Sequence, residues 1–123
     1  MPDERQHLGS FGERVAADHL EARGYRIIDR NFRVREAELD LVARDGETLV
    51  LIEVRTRRGG EPGAAALSVN HAKAQKLLLA AQWYTNRHPD LAELPMRIDV
   101  VTVELHRDGS LRSVEHIEDA VRP

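Results

Sequence analysis

One stretch does most to limit what this chain can fold into: residues 38–58, ELDLVARDGETLVLIEVRTRR. Two apolar runs flank Asp45-Gly46, a dipeptide that tolerates left-handed backbone and so predicts a tight hairpin. With Asp45-Gly46 as a two-residue turn, Arg44 faces Glu47, Asp40 faces Leu51 and Glu38 faces Glu53. Side chains alternate along a strand. Glu38, Asp40 and Val42 then share a face with Leu49, Leu51, Glu53 and Arg55. The other face, Leu39, Leu41, Ala43, Val50, Ile52 and Val54, is wholly apolar. An arm apolar on both faces belongs in the middle of a sheet. Cross-strand neighbours lie within about 5–8 Å of one another, so three carboxylates and a guanidinium converge at the open end of the hairpin.

That convergence needs compensation, because opposed like charges repel and half-buried carboxylates are costly without partners. Arg55 and Arg57 offer one solution, an ion-pair cluster at the sheet rim. A divalent cation, Mg2+ or Mn2+, offers the other, since both prefer carboxylate oxygen and water. An Asp on one strand and Glu-x-Arg on the next favour the cation.

The rest of the chain supports a single domain over residues 1–123, with residues 1–9 as a tail. The absence of cysteine excludes disulfides, a thiolate nucleophile and cysteine-ligated zinc. No apolar run approaches about 18 residues, so no membrane span is expected. The polar start, MPDERQHLGS, does not read as a signal peptide. A cytoplasmic protein is the expectation. The formal net charge of −3 argues against an indiscriminate nucleic-acid binder. Arginine is nonetheless concentrated at 23–35 and 55–58, which permits a local basic groove.

In chain order, Ser10 to Glu13 fits a capping box opening a helix with Phe11, Val15, Ala16 and Leu20 as its apolar stripe and Gly24 as its stop. Residues 25–29 and 32–34 read as strand with a turn or bulge at Asn31. Gly59-Gly60 and Pro62-Gly63 mark a flexible loop after the hairpin. A helix from 69 or 70 to 87 or 88 follows, capped by Ser68 or Asn70, with Lys73 and Lys76 as i,i+3 neighbours suited to phosphate contact. Residues 97–105 form a β-branched strand, and Asp108-Gly109 turns into a last strand at 111–117. Asp99 is expected to pair with Arg97 or another arginine, and each of the six histidines is expected at the surface. The order gives an α/β (α+β) fold, a mixed central sheet flanked by helices. Its acids suit metal-assisted phosphodiester hydrolysis: carboxylates hold the ion, a cation steadies developing charge, and the basic residues hold the sugar-phosphate backbone.

The same residues carry a family likeness. Gly12-Glu13 with Ala16, then Gly24, Asn31 and Arg33, then Ala37-Glu38-Leu39-Asp40-Leu41, Glu53-Val54-Arg55-Thr56-Arg57, Lys73 with Lys76, and Arg97-Ile98-Asp99-Val100 resemble the motifs of the YraN-type family of small bacterial proteins. That family resembles the PD-(D/E)XK nucleases and archaeal Holliday junction resolvases. The likeness covers roughly residues 10–105. It implies a restriction-endonuclease-like fold, Glu13, Asp40 and Glu53 as metal ligands, Asp40, Glu53 and Arg55 as catalytic residues, and a homodimer acting on branched or structured DNA. Arg33, Arg57, Lys73 and Lys76 are the expected DNA contacts. Arg55 stands where the family has lysine. Arginine stays protonated and cannot transfer a proton, so a non-catalytic nucleic-acid-binding protein on a nuclease fold is the alternative. A protein-interaction module without a nucleic-acid role is the third possibility.

Overall fold

The computed structural model describes residues 4–63 and 70–121, with side chains from residue 7. The elements are α1 (Glu4–Ala22), β1 (Arg26–Val34), β2 (Ala37–Asp45), β3 (Thr48–Arg58), α2 (His71–Arg87), β4 (Met96–Leu105) and β5 (Leu111–Val121). The strands form one mixed sheet in the order β1-β2-β3-β4-β5. β3 lies at its centre, antiparallel to β2 and parallel to β4. The α2 crossover is what makes that parallel pair possible. This is the α+β, restriction-endonuclease-like arrangement that the sequence predicts.

The hairpin turn lies one residue beyond its predicted place. Asp45 pairs with Thr48 and Arg44 with Leu49, leaving Gly46 and Glu47 in the loop. Gly46 takes φ 59°, which suits glycine at the first loop position of a type II′ turn. The register therefore moves by two: Leu51 faces Val42, not Asp40. A shift of two preserves the faces, because side chains alternate with period two.

Those faces fill two core layers. Ala16, Ala17 and Leu20 of α1 pack on Leu41, Ala43, Val50, Ile52, Val101 and Val103. Leu77, Ala80, Ala81 and Tyr84 of α2 pack on Val42, Leu49, Leu51 and Ile98. Leu39 departs from the predicted face and joins the α2 layer; it lies beyond Leu41, where the β2–β3 ladder ends. Each fully buried Leu or Ile contributes roughly 1.5–3 kcal/mol, so burial on both sides holds β2, β3 and β4 in the interior of the fold.

α1 begins at Glu4, so Ser10 lies inside the helix and does not cap it, and the expected tail at 1–9 overlaps helix from residue 4 onward. Leu8 explains the extension: with Phe11 and Val15 it packs against the α1 core layer, and i,i+3/i+4 spacing puts all three on one side. β1 is continuous through Asn31, which takes φ 54°. Asn70 caps α2, its side chain accepting the Lys73 N–H at 2.9 Å. Ser68 lies outside the described residues. No helix among the described residues is long and apolar enough to cross a membrane.

α1 meets β3 closely at Gly12. A Cβ there would overlap Thr56 Oγ1 and lie 3.0 Å from Thr56 Cβ. Gly12→Ala is expected to destabilise the chain by about 1–3 kcal/mol through overpacking. Adding Thr56→Ala, which removes the two outer side-chain atoms, is expected to restore part of that loss. Urea unfolding of the single and double variants checks this, and simple additivity of the two changes would refute the contact.

Candidate active site

The β2–β3 ladder ends at Leu41 and Ile52, and one step beyond it Asp40 and Glu53 come abreast. Asp40 turns its carboxylate onto β3, where Oδ2 accepts the Val54 N–H at 2.7 Å. The side chain thereby does for Val54 what a ladder carbonyl does for its neighbours, and both strands can part without orphaning a buried amide. Glu53, 4% exposed, points to the α2 side. Lys73 Nζ lies 3.3 Å from its Oε2 and Arg55 Nη1 lies 3.6 Å from its Oε1. Oε2 is buried and lacks a hydrogen bond: the ammonium is near enough for charge attraction but not aligned to donate.

Four carboxylates feel one another here. Asp40 is pushed up to about 7, first by burial and then by the charge of Glu53, with smaller contributions from Glu13 and Glu38; the Val54 N–H opposes the rise. Burial also raises Glu53, while Lys73 and Arg55 pull it back. Glu13, on α1, is raised by burial and by Glu38, with Arg33 and Arg30 opposing and Glu53 adding to the rise. Gly12 beside it allows α1 to sit close enough to bring Glu13 within this field.

The predicted site residues divide accordingly. Glu53, Arg55 and Lys73 meet directly, and Asp40 and Glu13 join them through charge. Arg33 is instead engaged with Glu38 at 3.0 Å on the exposed edge strand. Arg57 is exposed near the end of β3 and lines a hollow with Glu13. Lys76 is exposed one turn beyond Lys73 and does not share its contact with Glu53.

Two features escaped the sequence reading. Glu104 is buried, accepts the Gly63 N–H at 2.9 and 3.1 Å, and lies 3.8 Å from Arg112, which donates to Gly60 O. Glu104 and Arg112 together hold the chain at Gly60 and Gly63, just after β3. Polar Thr102 and Glu104, alternating within an otherwise apolar strand, were the available clue. Asp99 does pair with Arg97, at 3.0 Å, as expected. His116 is not at the surface: its side chain is 1% exposed and its Nε2 lies 2.7 Å from Asp99 Oδ2. Burial would raise the Asp99 carboxyl, but contacts from His116, Arg97 and the Asp119 N–H hold it below its ordinary value.

Among the described residues no three of His, Asp or Glu form a complete ligand set. Two carboxylates, one with an orphaned buried oxygen, fit a hard cation that keeps most of its water, as Mg2+ does.

Comparison with known proteins defines the kinship. Residues 12–103 match the model of uncharacterised protein family UPF0102. A UPF0102 protein of Frankia casuarinae is 51% identical over 114 residues, covering 92% of this chain and 94% of the relative. One from Xanthomonas campestris is 48% identical over 122 residues, covering 99% and 97%. One from Roseiflexus castenholzii is 41% identical over 121 residues, covering 98% of each. The chain belongs to the UPF0102 family. The UPF0102 match begins at Gly12 and ends in β4, so it spans Glu13, Asp40, Glu53, Arg55 and Lys73.

The raised Asp40 value carries a pH dependence. The folded chain keeps a proton that the unfolded chain, with a carboxyl at 3.8, has lost. Stability therefore falls as pH rises between about 4 and 7. Without divalent metal, Asp40→Asn keeps an acceptor for Val54 and removes the charge. It is expected to stabilise the protein by about 2–4 kcal/mol at about pH 8 and by little below about pH 4. Denaturant unfolding at both pH values reads this; a destabilised variant at the higher pH would contradict it.

Proposed function

We propose that this chain is a cytoplasmic, divalent-metal-dependent endonuclease that hydrolyses phosphodiester bonds in branched or structured DNA. The observation that carries the reading is the meeting of Asp40 and Glu53 where β2 and β3 part, with Lys73 and Arg55 alongside. Mg2+ or Mn2+ at these carboxylates supplies phosphate polarisation and a water of lowered pKa. Asp40 and Glu53 are the residues that hold it, and Glu13 adds negative charge from α1. Arg55 supplies a permanent positive charge toward phosphate oxygen and no proton transfer. Lys73 adds a second charge from α2, so two cations flank the reacting phosphate. Arg33, Arg57 and Lys76 hold the strand through its backbone, which positions it without reading sequence. A homodimer would present two such centres to a branched substrate.

A second reading has its own support. Glu53 already has two cations beside it, a neutralised state that suits a nucleic-acid-binding protein without turnover.

The test is cleavage of a synthetic four-way junction with Mg2+ or Mn2+. Asp40→Asn and Glu53→Gln are each expected to cut activity by about 100-fold or more, and Lys73→Met by about 10-fold or more. Pure protein that binds the junction yet cuts it with neither metal leaves the binding-protein reading in its place. Arg57→Ala and Lys76→Ala are each expected to lower the slope of log affinity against log salt by about 1. Unchanged slopes in binding titrations would remove those two residues from the DNA path.

A further inference from the structure

Two adjoining hollows lie beside the acid cluster, and the proposed chemistry uses only part of one. The larger, about 470 Å³, is bounded by Glu13 on α1 and by Val54, Thr56 and Arg57 on β3. The smaller, about 210 Å³, lies between α1 and the turn that joins β4 to β5, with His7, Phe11, Leu105 and Gly109 in its walls. Leu8 and Arg58 line both. The two hollows therefore adjoin at Leu8 and Arg58, one bounded by a carboxylate of the acid cluster and the other largely apolar.

The recess has fixed walls. Arg58 Nε donates to Arg107 O at 2.9 Å, which holds the guanidinium at the boundary between the two hollows. The Gly59 N–H donates to Leu105 O at 2.9 Å. The turn beyond is closed by His106 N–H to Ser110 O at 2.8 Å and Gly109 N–H to His106 O at 2.9 Å. Gly109 has φ 90°, and a Cβ there would come 3.8 Å from Arg58 Cζ and Nη2. On the other side, Leu8 and Phe11 are carried by α1 and packed against its core layer.

We infer that the recess receives one unpaired base of a nucleic-acid strand whose backbone lies in the larger hollow, so that the substrate carries a nucleotide displaced from its duplex close to the cut. This rests on the nucleic-acid role proposed above. Three observations favour a base over other occupants. At about 210 Å³ the recess is smaller than the roughly 300–1,000 Å³ of drug-sized sites, so it takes one ring system. Its walls pair a phenyl ring and two leucines with a guanidinium, the combination on which bases stack regardless of sequence. Arg57 and Arg58 line the larger hollow with Glu13, and Arg58 also lines the recess, where the phosphate joining a displaced base to the reacting one would lie. A base inside an intact helix cannot reach such a recess without leaving the stack, and leaving costs least where it is already unpaired. Bulges, flaps and junction branch points supply such a base; a continuous duplex does not.

The test uses fluorescence anisotropy with the full chain in EDTA, which removes cleavage from the measurement. Three end-labelled DNA hairpins are compared: fully matched, with a one-nucleotide bulge, and with the same bulge made abasic. The abasic probe keeps the bend and the charge and deletes only the base. The bulged hairpin is expected to bind about tenfold more tightly than either control. Leu8→Glu, which puts a carboxylate in the recess, is expected to abolish that preference, and Leu8→Met to keep it. Equal binding of the bulged and abasic probes by the unaltered chain overturns the inference, whatever the variants do. If all three hairpins bind alike while junction DNA is still cut, the endonuclease reading stands and the base recess falls. If no probe binds even at low salt, the base recess falls, and the endonuclease reading falls with it when junction DNA is also left uncut with Mg2+ and Mn2+.

Discussion

The hydrogen bond from Val54 N–H to Asp40 Oδ2 is the contact on which the candidate site depends. A β-ladder normally continues until its strands run out, and stopping one in a buried centre orphans amides that cost free energy. Here a carboxylate takes over from backbone at 2.7 Å. That substitution lets β2 and β3 separate while both remain in the core, and it fixes the Asp40 side chain against the strand that bears Glu53. Shortening Asp40 would lose the acid and unsettle the strand end together.

Placing two carboxylates there has an electrostatic cost that the fold only partly offsets. Lys73 and Arg55 stand against Glu53, yet Asp40 remains high, at about 7, and Glu53 Oε2 remains without a hydrogen bond. The contrast with Asp99 is instructive. That carboxylate is buried too, but Arg97, His116 and the Asp119 N–H satisfy it and hold its pKa down. The chain can neutralise a buried acid completely where structure is the purpose. It does not do so at Asp40 and Glu53, and perturbed groups of this kind gather at functional sites.

Much of this was legible in the sequence. Period-two alternation placed the hairpin at the sheet centre and assigned nearly every side chain of β2 and β3 to its face, because those assignments survive a register shift of two. The exact pairing did not follow, since Asp-Gly and Gly-Glu are both acceptable loop pairs and only the backbone of Gly46 decides between them. Ser10 looked like a cap because Glu13 follows three residues later, but burial of Leu8 and Phe11 outweighed that local preference. Lys73 was placed on the right helix, though its contact with Glu53 depends on where α2 lands on the sheet. Glu104 went unassigned and His116 was wrongly placed at the surface, because their partners are distant in sequence and their burial is a property of the packed chain.

The central claim is that Asp40 and Glu53 form a divalent-cation site, and thermal unfolding of the purified chain during a Mn2+ titration tests it most directly. A cation bound only by the folded state raises Tm in a saturable way. The expected result is such a rise in the parent chain and none in the Asp40→Asn, Glu53→Gln double variant. No rise in the parent at millimolar Mn2+, or an equal rise in the double variant, would mean that Lys73 and Arg55 alone balance these carboxylates.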